Sequence, residues 1–90
     1  MPSYLVETFL SRGDSAECSE RWRRAASAAE ELTREGTRVR FDHTIYVPED
    51  EICFFVVIAP SSRDAVRVAE RANLEPFRVV EAVSPGKEQT

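Results

Sequence analysis

His43 is the one histidine in this 90-residue chain, within Val39-Arg40-Phe41-Asp42-His43-Thr44-Ile45-Tyr46-Val47. On one parity that run reads Val, Phe, His, Ile, Val, so the imidazole interrupts an apolar row of a strand. An imidazole there is either a hydrogen-bonded core residue or a metal ligand and proton carrier. A ligand needs companions within about 2 to 2.5 Å of the same ion. Glu7, a charge inside an otherwise strand-like segment, is the natural carboxylate, with Glu81 as a neighbour; Glu7 could equally pair with Arg78. Trp22, Tyr46 and Phe54, together with His43, are candidates to line a small-ligand pocket, although Trp22 reads first as the main core anchor of a helix.

Other chemistry is weakly supported. Glu49-Asp50-Glu51 offers oxygen ligands without calcium-loop spacing and reads as a solvated hairpin tip. Cys18 and Cys53 form no CxxC pair, and each reads as a small apolar packing residue in a reducing compartment. Nothing in the spacing joins Cys18 to His43 as nucleophile and base. Only three glycines are present and none cluster, so there is no phosphate-cradling loop. The formal net charge of −4 argues against nonspecific nucleic-acid binding, and Arg21, Arg23 and Arg24 are interleaved with glutamates as a solvated helix face. No apolar run reaches the roughly 18 residues that cross a bilayer, and no secretory signal is evident. A cytoplasmic protein without membrane or nucleic-acid partners is expected.

The elements that position these residues follow from periodicity. Tyr4 to Leu10 reads as a strand broken by Ser11-Arg12-Gly13. Asp14 with Glu17 has the pattern of a capping box, and Cys18, Trp22, Ala25, Ala26, Ala29 and Leu32 make the stripe of a helix that ends at Gly36. The His43 strand follows, then a turn at 48–51, then Ile52 to Ala59, apolar on both parities and therefore expected to be covered on both faces. Ser61 and Asp64 cap a second helix with the stripe Ala65, Val68, Ala69 and Ala72, and Asn73 suits a left-handed terminator. Phe77 to Val83 is the last strand.

The order is βαββαβ, the ferredoxin-like α+β arrangement. It predicts one domain over 1–83, a polar tail over 84–90, and a four-stranded antiparallel sheet of order 4-1-3-2 with both helices on one face. The uncovered face predicts a homodimer. Pairing Val47 with Ile52 sets His43 opposite Val56, beside Phe41, Ile45 and Phe54. By apolarity this is expected to be the helix-covered face, leaving Arg40, Asp42, Thr44 and Tyr46 with Cys53, Phe55 and Val57 toward solvent or a second chain; a one-residue bulge would reverse the parity. The first and second strands stand about 9.6 Å apart, twice the strand spacing, so Glu7 and His43 of one chain share an ion with difficulty.

Several segments resemble a small bacterial domain-of-unknown-function family typified by a streptomycete nickel-binding ferredoxin-like protein. They are Met1 to Glu7, Val39 to Val47, Ile52 to Pro60 with its Ile-Ala-Pro ending, Ser61 to Leu74, and Phe77 to Val83. The resemblance implies a homodimer binding Ni2+ or another divalent transition metal, with Glu7 and His43 at the matching positions. Family members often carry a further histidine in the second helix, where this chain has Val68 and its neighbours. The function expected is metal binding without catalysis. The alternatives are a dimeric small-ligand binder resembling the ferredoxin-like monooxygenases, and a purely structural dimerisation module.

Overall fold

A computed structural model describes residues 1–83 of the chain; the tail expected at 84–90 lies outside them. The elements are β1 (Ser3–Phe9), α1 (Ser15–Arg34), β2 (Arg40–Val47), β3 (Ile52–Ile58), α2 (Ser62–Arg71) and β4 (Arg78–Ala82). A single 3-10 turn, Pro48–Asp50, joins β2 to β3, and Glu51 closes it at a left-handed φ of 55°. The sheet order is β2-β3-β1-β4, with every pair antiparallel. This is the expected 4-1-3-2 order read from the other edge. The fold is ferredoxin-like.

Local chemistry explains where the helices begin and end. Ser61 caps α2 by accepting from the Asp64 N–H at 3.3 Å. At the other end Asn73 takes φ 55°, and the Leu74 N–H reaches back to the Ala69 carbonyl while Asn73 N–H reaches Glu70. Gly36 does the same for α1 at φ 104°, with Thr37 N–H on Leu32 and Gly36 N–H on Thr33. Both are six-to-one and five-to-two closures that satisfy otherwise orphaned carbonyls. The capping box at Asp14 does not form. Asp14 makes no side-chain cap bond, and Glu17 pairs with Arg21 one helical turn on, at 2.9 Å, instead of reaching back to the Asp14 N–H, which donates to the Ser11 carbonyl.

The core lies between the two helices and one face of the sheet. Tyr4, Val6, Cys53, Phe55 and Val57 point into it from the strands, and Ala25, Ala28, Ala29, Leu32, Ala65, Val68 and Ala69 meet them from the helices. The small alanines let both helices approach the sheet closely. Trp22 is not the anchor expected: it is 46% exposed, because the buried stripe of α1 is turned toward Ala25, Ala28, Ala29 and Leu32. Leu32, 1% exposed, is the large side chain that fills α1's share of the core.

Candidate functional site

The placement of His43 follows from one extra residue in β2. Phe41 pairs with Val57 and His43 with Val56, so Asp42 is left without a partner in β3. Two residues of β2 then oppose one of β3, which is a β-bulge. On the far side of it the pairing runs Thr44 with Phe55, Ile45 with Phe54, Tyr46 with Cys53 and Val47 with Ile52. Because Cys53, Phe55 and Val57 are in the core, Phe41, Thr44 and Tyr46 face the helices. His43, Ile45, Phe54 and Val56 face the other way.

This corrects the expected assignment of faces. His43 does not lie beneath the helices: its side chain is 53% exposed on the uncovered face of the sheet. Apolarity misdirected the assignment because both faces of β3 are apolar, so composition does not distinguish them. Phe41 is separated from His43 because the bulge flips parity between the two. Phe41 packs toward Phe55, with ring centroids 6.5 Å apart.

The bulge also builds a contact. Neighbouring residues of a regular strand point to opposite faces. At the bulge Asp42 and His43 instead meet, with Asp42 Oδ2 2.7 Å from His43 Nδ1. A carboxylate on Nδ1 orients the ring and leaves Nε2 as the nitrogen available to a ligand or a proton. Asp42 is the partner that sequence reasoning missed. A regular strand keeps adjacent side chains apart, and the one available signal was the possibility of the bulge itself.

Glu7 shares the uncovered face but not the neighbourhood. From β1 it pairs with Phe54 and Arg78, two residues in register and two strands from His43. At the usual strand spacing that separation is about 10 Å or more, beyond what one ion spans. Glu7 is only 5% exposed and is held by Arg78, with Oε2 2.9 Å from Nη2 and 3.0 Å from Nε. The arginine fork answers the burial of the carboxylate. Among the described residues, no three His, Cys, Asp or Glu side chains form a group that could hold a metal ion.

Trp22, Tyr46 and Phe54 do not line one cavity. Phe54 is on the uncovered face, and Tyr46 is on the helix side, its hydroxyl donating to the Ser11 carbonyl at 2.6 Å. A groove of about 520 Å³ lies instead between α1 and the β2 edge, with Ala26, Ala29, Val39 and Phe41 as its apolar part and Arg34 and Arg40 among its charges.

The uncovered face is largely apolar: Leu5 and Phe9 on β1, Ile45 on β2, Ile52, Phe54, Val56 and Ile58 on β3, and Val80 on β4. Phe9 is 67% exposed and stacks on Phe77, with centroids 4.4 Å apart. On this surface Glu7 pairs with Arg78 and Asp42 with His43, and Arg40, opposite Ile58, is a further charge.

Among known proteins, the chain is similar to the crystal structure of SCO4226 from Streptomyces coelicolor A3(2). The TM-score is 0.70 and the identity 19%, over 91% of this chain and 98% of that one. At that identity the likeness establishes the fold. No family model and no curated protein matches the chain. Among the described residues, no helix is long and apolar enough to cross a membrane.

Proposed function

We propose that this chain is a small cytoplasmic homodimer that binds a divalent transition-metal ion, nickel foremost, and catalyses no reaction. The observation that carries the reading is the Asp42–His43 contact at 2.7 Å on an apolar sheet face that neither α1 nor α2 covers. A carboxylate behind an imidazole fixes its tautomer and holds the ring's orientation. Neutral imidazole suits nickel, zinc, copper and cobalt, with copper favoured by raw affinity.

One histidine does not make a site. A two-fold axis parallel to the uncovered face, lying between two copies, would bring the faces together and present His43 and Asp42 twice, and the apolar residues of β3 supply the surface that such a pairing buries. Glu7 joins the ligands only where a metal displaces Arg78 from its carboxylate, so His43 is the primary ligand in this reading and Glu7 the secondary one.

Titration calorimetry with NiCl2 and ZnCl2, run beside sedimentation, tests the reading. Wild-type protein is expected to sediment as a dimer and to bind metal, His43→Ala to lose binding, and Asp42→Ala to weaken it by roughly 10- to 100-fold. Phe54→Arg places a charge in the apolar face and is expected to give a folded monomer with weakened metal binding. Equal metal affinity in wild type and His43→Ala would remove the histidine as a ligand.

A second reading rests on the groove beside α1. Its apolar floor, with Glu30, Arg34 and Arg40 at its rim, suits a small apolar compound, which would make the chain a ligand-binding domain. Metal-independent binding of such a compound, weakened by Ala26→Trp in the groove, would favour this reading. A dimer that binds neither metal nor small ligand would be a structural module.

A further inference from the structure

We propose that Cys18 and Cys53 are a site of oxidative modification, closing reversibly into a disulfide that ties α1 to the central strand β3. The two residues are 35 positions apart, yet their sulfurs lie 3.8 Å from each other, in contact across the helix–sheet interface. Both are free thiols. This assignment is independent of metal binding, since neither sulfur is on the face that carries His43.

The pair is asymmetric in a way that suits stepwise oxidation. Cys18, in the first turns of α1, is partly exposed. Cys53 is fully buried, between Thr8 of β1 and Tyr46 of β2 in the sheet. Burial, with the neighbouring Cys18 adding to it, pushes the Cys53 thiol up to about 12, so it stays protonated until its partner has reacted. Arg21, one turn after Cys18, bonds to the Thr8 hydroxyl at 3.1 Å and to the Phe9 carbonyl at 2.8 Å, which places a fixed positive charge beside the pair.

The oxidant is a hydroperoxide. The Cys18 thiolate attacks the terminal peroxide oxygen, an S–O bond forms, the O–O bond breaks, and the other oxygen leaves as water or alcohol after taking a proton. Cys18 is then a sulfenic acid. The Cys53 sulfur attacks the Cys18 sulfur, the S–S bond forms, the S–O bond breaks, and the departing hydroxide takes the Cys53 proton as water. Two thiols are oxidised by two electrons and one peroxide is reduced. A dithiol restores the starting state by exchange.

Closure joins α1 to the middle of the sheet and constrains the unfolded chain. Transient redox-responsive bridges are the kind found in reducing compartments.

The test treats full-length protein with hydrogen peroxide and follows it by intact mass, thiol titration under denaturing conditions, peptide mapping and thermal melting. The expected product has lost two hydrogens and both thiols, maps to a Cys18–Cys53 linkage within one chain, melts about 10 °C higher, and reverts with dithiothreitol. Cys53→Ser should stop at a Cys18 sulfenic acid that dimedone captures, and Cys18→Ser should leave Cys53 unreacted. Retention of both thiols by the wild type, a linkage only between chains, or accumulation of a Cys18 sulfinic acid would each overturn the proposal. Oxidation of Cys53 in Cys18→Ser at the wild-type rate would overturn the assigned order.

Discussion

The two faces of β3 have nearly the same composition and different fates. Cys53, Phe55 and Val57 are fully buried under the helices, whereas Ile52, Phe54 and Ile58, on the opposite face, remain partly exposed. The covered face is completed within the chain. Its polar atoms mostly turn to the backbone, as when Thr8 Oγ1 donates to the Cys53 carbonyl at 3.0 Å, although Thr44 Oγ1 is buried without a partner among the described residues. The uncovered face carries two pairs of ionisable side chains, and one of those pairs includes the only imidazole. Apolar burial therefore accounts for stability on one side, and an apolar surface with a histidine at its edge is what remains for function on the other.

Paired truncations sharpen that contrast most strongly. Phe55→Ala empties a fully buried site and should cost about 3–5 kcal/mol, a large share of what holds a small domain together. Phe54→Ala, its neighbour on the other face, should cost roughly 1 kcal/mol in a dilute, monomeric sample, because its surface is only partly removed from water. Urea denaturation at low protein concentration measures both. Equal losses would mean that the uncovered face is as much a core as the covered one.

The buried charge on the uncovered face gives the next effect. Arg78→Ala leaves the Glu7 carboxylate nearly inaccessible and unpaired, and should cost about 1–3 kcal/mol. The lower part of that range reflects the exposure of Arg78 itself, which weakens the pair through solvent screening. Adding Glu7→Gln should recover most of the loss. Failure of the second substitution to help would show that Arg78 acts through packing of its stem.

The smallest effect belongs far from both faces, where α2 meets the end of α1. Arg71 makes two bonds of 2.9 Å to Glu35, and the hydrogen bond from Arg71 is the main reason the Glu35 carboxyl is held below the usual range. A carboxyl with a depressed folded-state value contributes stability that is fully present above its unfolded value and disappears as pH falls through the depressed one. Arg71→Ala should therefore lower the melting temperature slightly at neutral pH and leave it unchanged in strong acid. Both groups are at the surface, so a large shift at neutral pH would be out of proportion to the pair.

Much of the fold was legible because its signals are local. Ser61 with Asp64, Asn73 and Gly36 set helix boundaries through backbone chemistry that depends only on near neighbours. The stripe Ala65, Val68, Ala69 and Ala72 is buried as its period implied. Pairing of Val47 with Ile52 followed from the length of the turn. The site was less legible. Trp22 sits at the edge of a stripe whose rotation is set by the sheet beneath it, and the capping box at Asp14 is absent while Glu17 pairs with Arg21. Neither outcome is encoded in spacing, since competing partners at similar distance differ by little in energy.

The sequence by itself determined the element order, the strand order that follows from it, and the presence of one histidine among apolar strand residues. It also contained Glu7 and Arg78 as a plausible pair, and the structure joins them. Only the tertiary structure decided which face each strand presents, because side-chain parity reverses with a single unpaired residue, and Asp42 is that residue. The same residue turns a strand neighbour into the carboxylate behind His43, and packing of α1 on β3 brings Cys18 to Cys53. These contacts depend on register and docking, which are global balances of burial that no local pattern records.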